Sequence, residues 1–206
     1  CVTRRQRQMC IRDRLITALL ISFTSTYVYA NEAENLANFI IRNHDSQLLP
    51  VVGNVDAKVT IVEFFDYRCG YCSKQANDFQ KLLLETDNAK IIYLEWPIFG
   101  GISETAARIA LNIWKSNPNL YFEVHNEFMK LGTSIKESNI VNLLNSLNLN
   151  GQLIFDNAHK EKNNKIIDEN NKLAQSLGLR GTTASIINNS IYPGYVKYET
   201  LLELVE

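Results

Sequence analysis

The spacing of apolar positions changes along this chain, and the changes outline its elements. Val59-Thr60-Ile61-Val62-Glu63-Phe64-Phe65 is a run of β-branched and aromatic residues around a single acid, which predicts a buried strand. Asp66-Tyr67-Arg68 predicts a turn. From Cys69 to about Leu84 the apolar residues Phe79, Leu82 and Leu83 fall at helical spacing. Lys90 to Trp96 predicts a second strand, stopped by Pro97. Strand, helix and strand within about forty residues make a βαβ unit, whose strands must run parallel.

A helical block follows. Ser103 is placed to cap a helix reaching about Ser116, with Ala106, Ile109, Ala110 and Ile113 on one face. Pro118 opens another helix, made apolar by Tyr121, Phe122, Val124 and Phe128. Ile140, Val141, Leu143, Leu144 and Leu147 mark a third, and residues 151–177 hold one or two more, ending at Gly178. Ala184–Ile187 then predicts a short strand, Asn188-Asn189 a tight turn, Ile191-Tyr192 the returning strand and Tyr198–Glu206 a closing helix. Ahead of the βαβ unit, residues 32–42 place Leu36, Phe39 and Ile40 on one side of a short helix, and residues 44–57 read as a connector. The order predicts an α/β domain with a helical insertion between its two sheet halves.

Charge narrows the function classes. The 206 residues carry a formal net charge of -1, but residues 1–30 hold five Arg and one Asp. The remainder has 16 basic and 21 acidic side chains, a net of -5 that offers no basic stripe for nucleic acid. Residues 15–30 form an uncharged apolar run behind the arginines and end in Val28-Tyr29-Ala30, the layout of a signal peptide cleaved before Asn31. Residues 1–14 resemble translated adapter sequence, so Cys1 and Cys10 are set aside.

Cys69-Gly70-Tyr71-Cys72 carries the chemistry. A zinc site needs two further ligands, and His44, His125 and His159 have no ligand spacing with one another. A structural disulfide across so short a loop would remove little chain entropy. A redox pair fits the pattern. Cys69 sits where a strand gives way to a helix, and free N–H groups and the helix dipole there favour a thiolate. Cys72 lies one turn on, placed to resolve a mixed disulfide from within. Glu63, an acid among apolar strand residues, is expected to have a raised pKa and to relay protons to the resolving cysteine. His125, Trp96 and Trp114 read as packed side chains, and Lys160–Lys172 as a solvated helix face.

VTIVEFFDYRCGYC resembles the active-site segment of DsbA-like proteins in the thioredoxin superfamily. EWPIFG at 95–100, Tyr121–His125 and LGLRGTTASIINNSIYPGYV at 177–196 resemble further segments of that family. The resemblance implies a thioredoxin fold over residues 59–206 with a helical insertion at about 103–177, preceded by an N-terminal helix and linker over 31–58. It implies an exposed nucleophile at Cys69, a resolving thiol at Cys72, redox tuning by Gly70 and Tyr71, and a proton relay at Glu63. It implies substrate contact at Thr182 and Thr183, and requires no cofactor or metal. The partners it implies are unfolded or partly folded exported proteins in the periplasm and a DsbB-like or DsbD-like membrane redox protein. Dithiol oxidation is the leading activity. DsbC-like isomerisation or reduction, and peptide binding as a chaperone, are the alternatives. One departure stands out: Thr183 occupies the position where the family carries a cis-proline, and Ser185 replaces a large apolar residue.

Overall fold

The computed structural model describes residues 36–43 and 48–206. The expected signal peptide, its cleavage point and residues 1–14 lie outside the described residues. The order of elements is α1 (Leu36–Asn43), β1 (Val51–Gly53), β2 (Val59–Phe65), α2 (Gly70–Glu85), β3 (Ala89–Glu95), α3 (Ile102–Ser116), α4 (Pro118–Leu131), α5 (Glu137–Ser146), α6 (Gly151–Lys160), α7 (Lys165–Ser176), β4 (Ala184–Ile187), β5 (Ser190–Pro193) and α8 (Tyr198–Val205). Among the described residues no helix is long and apolar enough to cross a membrane.

One mixed sheet in the order β1-β3-β2-β4-β5 organises these elements. β2 is central and all seven of its residues are buried, as an apolar run covered on both faces requires. It pairs parallel with β3 and antiparallel with β4. Its side chains alternate between two cores. Ile61 and Phe65 face one, with Phe79 of α2, Leu201 of α8 and the apolar faces of α3 and α4. Val62 and Phe64 face the other, with Ala37 and Ile40 of α1 and Ala174 of α7. This is a thioredoxin fold with helices inserted between the βαβ half and the terminal hairpin and helix.

Several local expectations are corrected. The connector contains a strand, β1, which pairs antiparallel with β3; three residues with a glycine at the end give too short a pattern to read. Phe39 is half-exposed, and Ala37 with Ile40 makes the buried side of α1. Ser103 does not cap α3, where Gly101 holds that place. Its hydroxyl instead donates to Asp66 Oδ1 at 2.8 Å. The charged stretch 160–172 is not one helix face, because Asn164 interrupts it and caps α7 through the N–H groups of Ile166 and Ile167. Of the five apolar residues read at α5, Leu147 falls just past the helix end, and only Ile140 and Leu144 are buried.

Gly151 shows how closely the inserted helices approach. A Cβ there would lie 2.4 Å from the Val141 carbonyl oxygen and 2.9 Å from Asn145 Oδ1. The Asn145 side chain also accepts the Gly151 N–H at 2.9 Å. Backbone cannot retreat as a flexible side chain would. Gly151→Ala is therefore expected to destabilise the protein by about 1–3 kcal/mol, as overpacking does, read as a lowered midpoint in urea with an unchanged slope.

Candidate active site

β2 ends at Phe65, and the turn that follows is fixed by Asp66. This buried carboxylate accepts hydrogen bonds from the Arg68 N–H at 2.7 Å, the Ser103 hydroxyl at 2.8 Å and the Phe99 N–H at 2.9 Å. Its backbone carbonyl accepts the Cys69 N–H at 3.0 Å. The turn thus delivers Cys69 to the N-cap of α2 in extended conformation, with φ -81° and ψ 116°. There its sulfur accepts the Cys72 N–H at 3.3 Å, in the place usually taken by a capping oxygen.

The two sulfurs meet different surroundings. Cys69 retains 6% of its surface, and Cys72 none, so the exposed nucleophile expected from the sequence is in fact a nearly covered one. Gly70 and Tyr71 are exposed between them, Tyr71 by 66%. A hydrogen bond from the Cys72 thiol, assisted by Thr182 and the N–H groups of Cys72 and Tyr71, outweighs partial burial and lowers the Cys69 pKa to about 6. Burial pushes the Cys72 thiol far up, with the Cys69 sulfur and Glu63 adding to the effect. One sulfur is an anion near neutral pH while its neighbour keeps its proton.

Glu63 lies behind this pair in the central strand, with Tyr93 of β3 and Ser185 of β4 as its register partners. It is fully buried, and burial raises its pKa to about 8 against the pull of a Thr183 hydrogen bond. Thr182 also offers its carbonyl, which accepts the hydrogen of the protonated Cys69 thiol at 3.4 Å; that contact belongs to the thiol form, whereas the Thr182 side chain is what favours the thiolate. The Thr182–Thr183 peptide bond is cis. The structure therefore gathers Cys69, Cys72, Glu63, Thr182 and Thr183 into one locus, with Gly70 and Tyr71 at its surface. Among the described residues no three His, Cys, Asp or Glu side chains group as a metal site.

The sequence reading missed two parts of this region. Asp66 is one, assigned there only to a turn. The other is a buried polar group in which Glu95 Oε1 accepts the Tyr121 hydroxyl at 2.9 Å, and the Tyr67 hydroxyl lies 3.3 Å from His125 Nδ1. Burial lowers the His125 pKa to about 3 and raises that of Glu95 to about 8. His125 is accordingly a neutral, packed side chain ringed by Phe65, Tyr93 and Tyr121. Glu95 carried the same signal as Glu63, a lone acid in an apolar strand.

A thioredoxin sheet that presents two unlike sulfurs on the first turn of its crossover helix is the architecture of a thiol–disulfide oxidoreductase. The model of the DSBA-like thioredoxin domain family matches residues 60–206, and the chain belongs to that family. Disulfide bond formation protein D of Bacillus subtilis (strain 168) is 25% identical over 167 residues, covering 76% of this chain and 75% of that protein. The catalytic domain of Proteus mirabilis ScsC superposes with a TM-score of 0.72 at 28% identity, over 82% of this chain and 94% of its own. The thiol-disulfide exchange protein alpha-DsbA2 of Wolbachia pipientis gives 0.69 at 26% identity, over 80% and 91%.

Two outcomes are expected. Brief iodoacetamide treatment of the reduced mature protein, which lacks Cys1 and Cys10, should label Cys69 alone, with a rate that rises through a midpoint near pH 6. Mass mapping checks this, and labelling of Cys72 would contradict it. Stability has the opposite slope at lower pH. Glu63 and Glu95 keep their protons when folded up to about pH 8, whereas both ionise near pH 4.5 when unfolded. The folded state binds more protons, so stability falls as pH rises through this window. The neutral His125, which would bind a proton below about pH 6.5 when unfolded, offsets part of that fall, and above about pH 6 the ionised Cys69 works against it as well. Urea melts of the reduced protein at pH 5 and 6 should show the loss, and Glu95→Gln should reduce it.

Proposed function

We propose that this protein is an exported oxidase of protein dithiols, with Cys69 as the attacked and attacking sulfur and Cys72 as the resolving one. The observation that supports this most directly is the contrast between the two sulfurs within one helical turn. Stabilising the Cys69 thiolate favours the reduced pair, and a pair that prefers to be reduced makes its disulfide a stronger oxidant.

A substrate thiolate attacks Cys69 Sγ in the Cys69–Cys72 disulfide. A mixed disulfide forms, and Cys72 leaves as a thiolate. Its burial makes that anion costly, and Glu63, protonated near neutral pH, supplies the proton. A second substrate thiolate then attacks the substrate sulfur of the mixed disulfide. The substrate leaves with a disulfide, and Cys69 leaves as the thiolate that its capping position stabilises. Two electrons have passed to the pair, and a membrane redox partner of DsbB-like type removes them. Unfolded or partly folded exported proteins are the substrates. The backbone at Thr182 and Thr183, across from Cys69, receives their extended chain. Gly70 and Tyr71 set the potential, since they fix the turn whose N–H groups face the sulfur.

Cys72→Ala keeps the nucleophile and loses the resolving group, so it should accumulate mixed disulfides with exported proteins, whereas Cys69→Ala should accumulate none. Non-reducing gels of both variants expressed in a periplasm test the roles, and equal ladders would overturn them. Oxidation of a dithiol peptide by the disulfide form tests the direction. Efficient isomerisation of scrambled disulfides with slow peptide oxidation would move the assignment to an isomerase.

A further inference from the structure

Among the described residues Glu63 has one hydrogen-bond partner, and it comes from an unexpected place. The Thr183 hydroxyl donates to Glu63 Oε1 at 2.9 Å, with Thr183 1% exposed and Glu63 not exposed at all. The second carboxyl oxygen, Oε2, has no partner among the described residues. Thr183 stands where the family carries proline, a residue with neither hydroxyl nor N–H to donate. It immediately precedes β4, whose Ser185 is paired with Glu63 across the sheet.

We infer that Thr183 is a positioning residue for the proton relay, its hydroxyl holding Glu63 Oε1 so that Oε2 carries the proton exchanged with Cys72. The inference rests on the role proposed above for Glu63. A protonated carboxyl has one donor and one remaining acceptor. With Oε1 occupied as acceptor, the proton belongs on Oε2. When Oε2–H passes its proton to the departing Cys72 thiolate, a carboxylate and a thiol result. The negative charge then strengthens the bond from Thr183, because a hydrogen bond to an ionised acceptor is roughly twice as strong as a neutral one. In the reverse step the carboxylate takes the proton back and the bond relaxes.

The surroundings make this bond matter. The groups whose charge acts with that of Glu63 are Cys69 at the N-cap of α2, Cys72 on α2, Tyr67 in the turn and Tyr93 on β3. None of them supplies positive charge. Burial and the Cys69 sulfur both oppose ionisation of Glu63, and the Thr183 hydroxyl is the contact that favours it. Without that hydroxyl the acid would hold its proton to higher pH and release it less readily to Cys72.

The test compares Thr183→Val, which removes the hydroxyl and keeps the shape, with Thr183→Ser, which keeps the hydroxyl. Glu63→Gln identifies the Glu63 carboxyl band by its loss in infrared spectra of the reduced protein. The titration midpoint of that band is expected to rise by about one pH unit in Thr183→Val, the size of one hydrogen bond to a charged group, and to stay at the wild-type value in Thr183→Ser. The resolution rate of a preformed Cys69 mixed disulfide should show the same shift in its pH profile. Thr183→Ala is read in the same way should the valine variant not fold. An unmoved midpoint without the hydroxyl, or an equal shift in the serine variant, would overturn the inference. A Glu63→Gln variant with a wild-type resolution profile would overturn the relay itself, while the infrared midpoint still reports separately on the hydrogen bond.

Discussion

The site depends on the carboxylate of Asp66. A strand that must become a helix within a few residues needs its turn held from outside, and this side chain holds it from three directions. It accepts the N–H of Arg68 inside the turn, the N–H of Phe99 in the loop after β3 and the hydroxyl of Ser103 on α3. Its backbone carbonyl holds the Cys69 N–H as well. The ends of both parallel strands and the first inserted helix are tied to one group. Cys69 reaches the mouth of α2 only because that group fixes the approach, and the contrast between the two sulfurs follows from it.

That contrast has a simple origin in desolvation. Cys69 and Cys72 are three positions apart, yet one is stabilised as an anion chiefly by its neighbour's thiol, with the N–H groups of the helix end assisting, and the other is carried into the core. Groups whose environments separate their proton affinities divide acid and base duties between them. Glu63 keeps its proton beside them because the central strand of a sheet covered on both faces leaves an acid nowhere to meet water.

Strong periodicity made much of this legible in the sequence. The run at 59–65, the helix behind the cysteines and the hairpin at Asn188-Asn189 each carried several agreeing signals, and Asn188 adopts the positive φ of 53° that such a turn requires. β1 was not legible, because three residues cannot display a period and its pairing with β3 is decided by tertiary contact. The role of Ser103 was hidden for a related reason. A serine near a helix start is an ordinary cap by local chemistry, and only the fold brings Asp66 close enough to claim it. The Thr183–Glu63 bond spans 120 positions and has no local signature at all.

The first turn of α2 is also braced from the inserted helices. The Ser73 hydroxyl donates to the Met129 carbonyl at 2.7 Å, and Gly132, where a Cβ would lie 3.1 Å from that hydroxyl, leaves room for the approach. Ser73 is the residue after Cys72, and its N–H bonds to the Cys69 carbonyl at 3.1 Å. The insertion is thus more than a wall beside the sulfurs: it is the gauge block against which their helix is set. Residues at the end of α4, far along the chain from the cysteines, hold the tilt of the peptide groups that cradle the Cys69 sulfur. Drift in the amino acids around Met129 and Gly132 therefore gives evolution a way to retune the pair while leaving Cys-Gly-Tyr-Cys untouched.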